Sequence, residues 1–263
     1  MEASLKANLE SNLKALKLPT MLANYSECAR VSASENYTYE HFLLSLAEKE
    51  LEKRRANRIQ YLLKKAKFPK TKLLNEFDFK RTEIGKEPII QLCHGHFLAE
   101  AYNVIFYGQS GIGKTHLAMA IGRELCFNGF KVIFFTGCEL IQNLVRAKDN
   151  LRLSDYFKKL HSYDLVIIDE LGYIPFQKSE GDLLFQFISD RYERKSLMIT
   201  TNLSFSEWDV MFSDKMVATA AIDRLVHYSH IFKFVDPQKE SYRTEVARKR
   251  TKNAGEKASE VTD

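Results

Sequence analysis

Eight consecutive residues, Gly108 to Thr115, have the spacing of a phosphate-binding loop, GxxxxGK[ST]. The loop lies between an apolar run, Asn103 to Tyr107, and a stretch with helical patterning. A strand that delivers a glycine-rich turn onto a helix N-terminus directs several backbone N–H groups and the positive end of the helix dipole at one point. This context predicts a polyphosphate site more strongly than the residue pattern does alone.

Each polar residue of this loop has an expected role. Lys114 is predicted to reach the β- and γ-phosphates, and the Thr115 hydroxyl is predicted to ligate Mg²⁺. ATP and Mg²⁺ are therefore the expected ligands. The predicted nucleotide-binding residues of the loop are Gly108, Gln109, Ser110, Gly111, Ile112, Gly113, Lys114, Thr115 and His116.

Two further apolar runs end in polar residues that suit nucleotide hydrolysis. Leu165 to Ile168 is followed by Asp169 and Glu170. In this arrangement the first acid orients Mg²⁺, next to the nucleotide, and the second polarises an attacking water. Leu197 to Thr200 leads to Asn202, which is a candidate for holding the same water, although an asparagine after a strand is also a common turn former.

Two arginines are candidates for stabilising the charge that develops on a transferred phosphoryl group. Arg224 follows Asp223 just before the last apolar run, and it would act across a subunit boundary if the chain assembles in a ring or spiral. Arg243 lies beyond that run and is a candidate for the subunit's own nucleotide. Either arginine could instead form a surface salt bridge.

Composition limits the class of protein. The chain has 263 residues, of which 45% are hydrophobic and 28% charged, as in a soluble globular protein with one α/β domain and a smaller appendage. No apolar stretch approaches the ~18 residues that span a bilayer, and charges interrupt the first 18 residues, so a cytoplasmic location is expected. The four cysteines have neither zinc-site nor disulfide spacing and are expected to be reduced.

Basic residues are unevenly distributed in a chain of net charge +5. Between residues 53 and 72 there is no acidic residue, which predicts a contact with nucleic acid or another polyanion. A solvated helix face is the alternative interpretation. The basic residues of this stretch are Lys53, Arg54, Arg55, Arg58, Lys64, Lys65, Lys67, Lys70 and Lys72.

The periodicity of the chain predicts three regions. Residues 1–75 read as a small all-helical domain for DNA binding and assembly, residues 76–245 as an α/β ATPase domain, and residues 246–263 as a disordered tail. Residues 77–88 read as a connector. Five apolar runs alternating with helices predict a parallel sheet covered on both faces. The runs are 103–107, 132–135, 165–168, 197–200 and 231–235.

Together these residues resemble the AAA+ family, and within it the IstB-like transposition-helper ATPases and the related DnaC-like helicase loaders. The resemblance covers nearly the whole chain. It rests on Leu62 to Pro69 leading to Phe77 to Phe79, on Gly108 to Ala118, on Asp169 to Tyr173, on Arg191 to Glu193, on Thr201 and Asn202, on Phe205 to Trp208, on Asp223 to Leu225, and on Ser241 to Arg243. The segments Leu171 to Tyr173 and Phe205 to Trp208 are the most specific.

The resemblance implies a P-loop core with strand order 5-1-4-3-2 and no helical lid. It also implies that Asn202 is sensor 1, Arg224 an arginine finger acting in trans and Arg243 sensor 2. Many relatives have two prolines where this chain has Gln109 and Ser110, which could alter loop rigidity, and Glu170 favours hydrolysis where some have aspartate. The region between the second and third strands is expected to carry an extra helix that faces DNA, with the basic residues Arg146, Lys148, Arg152, Lys158 and Lys159.

The predicted function is that of an ATP-dependent, DNA-binding regulator of transposition. It oligomerises on double-stranded target DNA with little sequence preference, with ATP at subunit interfaces, and delivers the DNA to a partner transposase. The nearest alternative is a replicative helicase loader. A small P-loop phosphotransferase is the third alternative, but neither an acceptor site nor a closing lid is visible in the sequence.

Overall fold

The computed structural model describes residues 2–173, 176–212 and 214–235. The chain divides into two compact units, and the division falls between Tyr61 and Leu62, inside a long helix. The sequence pattern predicts the first domain to extend to residue 75. The helix ends at Ala66, and the segment after it packs with the second unit.

The first unit is built from helices. They are α1 (Glu2–Ala15), α2 (Pro19–Ser34) and most of α3 (Tyr39–Ala66). Pro19 begins α2 because its fixed φ and missing N–H suit the first helical turn. The buried carboxylate of Glu50, on α3, accepts the backbone N–H groups of Thr20 and Met21 at 2.8 and 3.1 Å. This acid therefore accepts hydrogen bonds from backbone N–H groups that have no partner within the first turn of α2.

In the second unit, two helices come first, and strands then alternate with helices. Its helices are α4 (Lys86–His94), α5 (His96–Ala99), α6 (Lys114–Phe127), α7 (Gly137–Asp149), α8 (Leu153–His161), α9 (Lys178–Arg191) and α10 (Lys215–Val226). Its strands are β1 (Asn103–Gly108), β2 (Val132–Thr136), β3 (Leu165–Asp169), β4 (Ser196–Thr201) and β5 (Ser229–Phe234). Short 3-10 segments lie at Leu74–Glu76, Phe79–Arg81 and Phe205–Met211.

The five strands form one parallel sheet in the order β2-β3-β4-β1-β5. This is the predicted order 5-1-4-3-2 counted from the opposite edge, so the prediction of an AAA+ P-loop core is confirmed. The five predicted runs agree with the observed strand bounds to within two residues. The strands β1 to β4 are mostly buried and therefore appear as continuous apolar runs, whereas β5, at one edge of the sheet, is partly exposed.

Side chains alternate between the two faces of the sheet, and each face has its own core. One core is formed with α4, α6 and the end of α3, and the other with α7, α9 and α10. Strand residues of the first core include Val104, Phe106, Phe134 and Ile167, and those of the second include Ile105, Phe135, Ile168 and Ile199. The sheet therefore lies between two helical layers.

The region predicted as a connector, residues 77–88, contributes to the first core. Phe77 and Phe79 pack against it, and their rings meet edge to face at 4.9 Å. Among the described residues, no helix is long and apolar enough to cross a membrane. The predicted tail, 246–263, and the predicted absence of a lid concern residues outside the described ranges.

Candidate active site

The phosphate-binding loop connects β1 to α6 through glycines that no other residue can replace without strain. Gly108 has φ +137°, and a Cβ there would overlap the Phe234 carbonyl oxygen of β5. Gly113 has φ +99° and is the N-cap of α6, with the Phe77 ring 2.5 Å from the position of a Cβ. The loop is thus held between β5 and the segment before the sheet, with the α6 N-terminus directed at its centre.

Lys114, at the first position of α6, is buried and bonded to the loop itself. Its Nζ donates to the carbonyl oxygens of Gly108 and Gln109, both at 2.6 Å. These bonds hold the positive charge at the loop. The predicted role of Lys114 as a phosphate ligand fits this position.

Asp169 ends β3 and lies beside the start of α6. Its carboxylate accepts a 2.5 Å hydrogen bond from the Thr200 hydroxyl of β4 and interacts with the Thr115 hydroxyl. Burial raises the pKa of the Asp169 carboxyl, while the bonds from Thr200 and Thr115 act in the opposite direction. A carboxylate next to a hydroxyl suits Mg²⁺, which takes few protein ligands and keeps several waters. The residues therefore fit the predicted metal role.

Glu170, the second predicted acid, has a backbone conformation that is rare for a non-glycine residue. Its φ is +57° and its side chain is exposed. The Thr200 hydroxyl accepts the Glu170 N–H at 2.9 Å, and the Thr200 carbonyl accepts the Leu171 N–H at 2.9 Å. A single residue of β4 thus fixes both acids, and such strained conformations are concentrated at functional sites.

These elements enclose a cleft of about 410 Å³ at the carboxyl edge of the sheet. The phosphate loop, the turn after β3 and the end of β4 all contribute to it, as the sequence predicts for Lys114, Glu170 and Asn202. Three residues from the segment before the sheet, Pro69, Lys70 and Lys72, also line it. The other lining residues are Ser110, Gly111, Gly113, Thr115, His116, Met119, Tyr173, Thr200 and Thr201.

The remaining loop residues occupy different environments. Gln109 and Ser110 are exposed, whereas Ile112 is buried in the first core. The imidazole Nε2 of His116 is 2.8 Å from the Leu73 carbonyl oxygen, so this residue joins α6 to the segment before the sheet. The sequence predicts His116 as a nucleotide ligand, and the structure also gives it this structural contact.

Of the two predicted arginines, the structure describes Arg224, which does not line this cleft. Arg224, on α10, donates to the Ala220 carbonyl at 3.0 Å, and its guanidinium lies 5.0 Å from the centre of the Phe185 ring of α9. Arg243 lies outside the described residues. The position of Arg224 is compatible with a role at another subunit's nucleotide.

Most predicted DNA contacts are exposed side chains. They lie on α3, on the residue that follows it, on α7 and α8, or on the turn between these two helices, and they are Lys53, Arg55, Arg58, Lys64, Lys65, Lys67, Arg146, Lys148, Arg152, Lys158 and Lys159. Arg54 is also exposed, and its guanidinium donates to Glu50 at 2.8 Å and to the Lys17 carbonyl at 2.6 Å. It contributes to packing within the first unit.

Sequence reasoning missed Thr200 and the two cleft lysines. Thr200 lies one position beyond the β3–β4 pair Ile168 and Ile199, so only the sheet register places it beside Asp169. Lys70 and Lys72 belong to the basic stretch, but no sequence signal separates lysines of the cleft from those of the helix before it.

Comparison with known proteins supports one assignment. Residues 11–251 match the family model described as IstB-like ATP binding protein. An insertion sequence ATP-binding protein of Sinorhizobium fredii is 37% identical over 98% of this chain and 86% of its own length. The corresponding IS232 protein of Bacillus thuringiensis subsp. berliner is 36% identical over 89% of this chain and 93% of its own length.

Solved structures agree on the fold. AMPPCP-bound DnaA from Aquifex aeolicus aligns with a TM-score of 0.53 and 19% identity, over 71% of this chain and 56% of that chain. DnaI aligns with a TM-score of 0.53 and 17% identity, over 62% of this chain and 91% of that chain. This chain therefore belongs to the family of IstB-like ATP-binding proteins.

Proposed function

We propose that this chain is an ATP-dependent, DNA-binding regulator of transposition. It assembles as a homo-oligomer on double-stranded target DNA and delivers that DNA to the transposase of an insertion sequence. The family assignment and the insertion sequence relatives support this class of function. The observation that carries the proposal is the cleft that gathers Lys114, Glu170 and Asn202 at the carboxyl edge of the sheet.

The predicted site residues have separate roles in ATP hydrolysis. Lys114 binds the phosphates, Glu170 accepts a proton from the attacking water, and Asn202 orients that water. Thr115 and Asp169 would hold Mg²⁺, which would supply positive charge next to the phosphates. The predicted sensor 2 role of Arg243 belongs to the same proposal.

The proposed arginine finger acts between subunits. Arg224 packs on Phe185, away from the cleft lining of its own subunit, which supports a role at the nucleotide of a neighbouring subunit. The test mixes two variants, each of which should hydrolyse ATP slowly. Arg224→Ala keeps an intact cleft, and Glu170→Gln keeps an intact arginine finger. Arg194→Ala, at an exposed position, is the control and should hydrolyse ATP at the unaltered rate.

If Arg224 acts in trans, an equimolar mixture regains up to about a quarter of the wild-type rate, because about one interface in four combines an intact cleft with an intact finger. Mixtures that remain as slow as the separate variants, although both assemble, would contradict the trans role. Sedimentation with a non-hydrolysable ATP analogue verifies that they assemble.

The proposed DNA contact is electrostatic. The exposed basic residues on α7 and α8, together with those of α3, suit phosphate contacts that carry no sequence information. Neutralising six phosphates gives a slope of about −5 in a plot of log affinity against log salt concentration. A salt-insensitive or strongly sequence-selective interaction would count against the proposal.

Delivery to a transposase separates this function from that of a helicase loader. The tagged chain, loaded with an ATP analogue and DNA, is mixed with the transposase of the same insertion sequence and, separately, with a hexameric replicative helicase. Retention of the transposase alone is expected. Retention of the helicase alone would assign the chain to the loader class instead.

A further inference from the structure

The segment from Phe68 to Phe77, hereafter the pre-strand segment, is fixed to α6 at three points. The Phe68 ring lies 2.9 Å from where a Cβ of Gly122 would be. The Leu73 carbonyl oxygen lies 2.8 Å from the His116 imidazole. The Phe77 ring covers Gly113 and meets the His116 ring edge to face at 5.5 Å. The segment therefore has a defined position relative to the phosphate loop.

Two lysines lie between these fixed points and line the cleft. Lys70 is exposed and Lys72 is half-buried. Among the described residues of the cleft lining, Lys70, Lys72 and Lys114 are the lysines and Glu170 is the acidic residue. Neither Lys70 nor Lys72 has an ion-pair partner among the described residues. The described part of the cleft lining thus carries an excess of positive charge, and two of its three lysines belong to the pre-strand segment.

The position of the lysines points to one end of the nucleotide. They share the cleft with Glu170 and Asn202, which follow β3 and β4 at the edge where the transferred phosphoryl group must lie. A concave site focuses the field of its charges, so an ammonium there attracts a multiply charged phosphate strongly. An ATP molecule differs from ADP by the phosphate at this end.

We propose that Lys72, assisted by Lys70, binds the terminal phosphate of a nucleoside triphosphate in the cleft of its own subunit. The pre-strand segment is then part of the nucleotide site and distinguishes ATP from ADP. This inference rests on the proposed use of the cleft for ATP hydrolysis. It differs from the sequence-based interpretation, in which both lysines belong to a polyanion-binding stretch.

The test measures nucleotide affinity of the full chain without DNA, using fluorescent ATP and ADP analogues with Mg²⁺. Lys72→Gln should weaken ATP binding about tenfold, the size of one charge-assisted hydrogen bond at a partly exposed site, and leave ADP binding within about twofold. Lys70→Gln should act in the same direction by about threefold, because its side chain is more exposed. Lys72→Arg should restore most of the ATP affinity.

Lys80→Gln is the matched control, since Lys80 is exposed, lies just beyond the pre-strand segment and does not line the cleft. Its ATP and ADP affinities should equal those of the wild type. Unchanged ATP affinity in Lys72→Gln, or equal losses for ATP and ADP, would overturn the inference. A loss of DNA binding with unchanged ATP affinity would also overturn it and assign Lys72 to DNA.

The two proposals fail in different ways. If the wild type prefers ATP over ADP through Lys72 but neither assembles on DNA nor engages a transposase, the proposed function is wrong and the lysine assignment stands. If assembly on DNA is normal in Lys72→Gln and its ATP preference is unaltered, the lysine assignment is wrong and the proposed function stands. Melting temperatures measured without nucleotide show whether each variant is folded.

Discussion

Replacing Thr200 by valine tests whether one hydroxyl positions both acids of the site. Thr200 is 1% exposed, and its Oγ1 donates to Asp169 at 2.5 Å and accepts the Glu170 N–H at 2.9 Å. Valine has nearly the same shape but lacks the hydroxyl. A hydrogen bond to a charged group contributes about 1.5–3 kcal/mol and a neutral one about 1 kcal/mol, so the unfolding free energy of the second unit should fall by roughly 3 kcal/mol.

Hydrolysis should slow for a separate reason. Without the bond to its N–H, Glu170 is no longer held at φ +57°, and its carboxylate is displaced relative to the attacking water. Misplacement of about 1 Å lowers the rate by about 100-fold, so ATP turnover should become roughly 10- to 100-fold slower, with a much smaller change in the KM for ATP.

Two assays separate stability from positioning. Trp208 is the only tryptophan and is fully buried in the second unit, so its fluorescence during urea unfolding reports that unit. Steady-state phosphate release at saturating ATP gives the turnover rate. Thr200→Ser is the matched control, since it keeps the hydroxyl and should retain most of the activity. If Thr200→Val hydrolyses ATP at the wild-type rate, or if the serine variant is as slow as the valine variant, the hydroxyl does not position the acids.

Three further predictions concern catalysis, the core and the thiols. Glu170→Gln should bind ATP normally while phosphate release slows about 100-fold or more, and an unaltered rate would exclude the proton-accepting role. Arg191→Met should lower the urea stability of the second unit by about 3 kcal/mol, because the buried guanidinium donates to three backbone carbonyls at 2.8–3.3 Å, whereas exposed Arg194→Met should change it little. Iodoacetamide at pH 8 should label Cys138 before Cys126, whose thiol pKa burial raises to about 11, and peptide mass spectrometry would detect the reverse order.

The fold was predictable because its strongest signals are local. A phosphate loop with a strand before it and a helix after it, followed by four more buried apolar runs, specifies a parallel α/β sheet. Strand order came from the resemblance, since periodicity says nothing about which strands are neighbours. The residues expected at the carboxyl edge, Lys114, Glu170 and Asn202, line one cleft because parallel strands end at the same edge.

The parts that sequence reasoning missed depend on register and packing. Thr200 reads as an ordinary strand residue until the pairing of β3 with β4 places it beside Asp169. Residues 77–88 read as a connector because their few aromatic residues show no period. In the structure Phe77 and Phe79 pack on α6 and its neighbours, and this packing carries the pre-strand segment to the nucleotide cleft.

The basic stretch between residues 53 and 72 shows that cations close together in a sequence can occupy different environments in the fold. Of its nine cations, Arg54 is bonded to Glu50 and to a backbone carbonyl, and Lys70 and Lys72 line the cleft. The other six are exposed side chains, and if each contacts one phosphate, they contribute about 5 to the salt slope. A slope much steeper than that requires the basic residues of α7 and α8, so the salt dependence itself reports whether the region between β2 and β3 faces DNA.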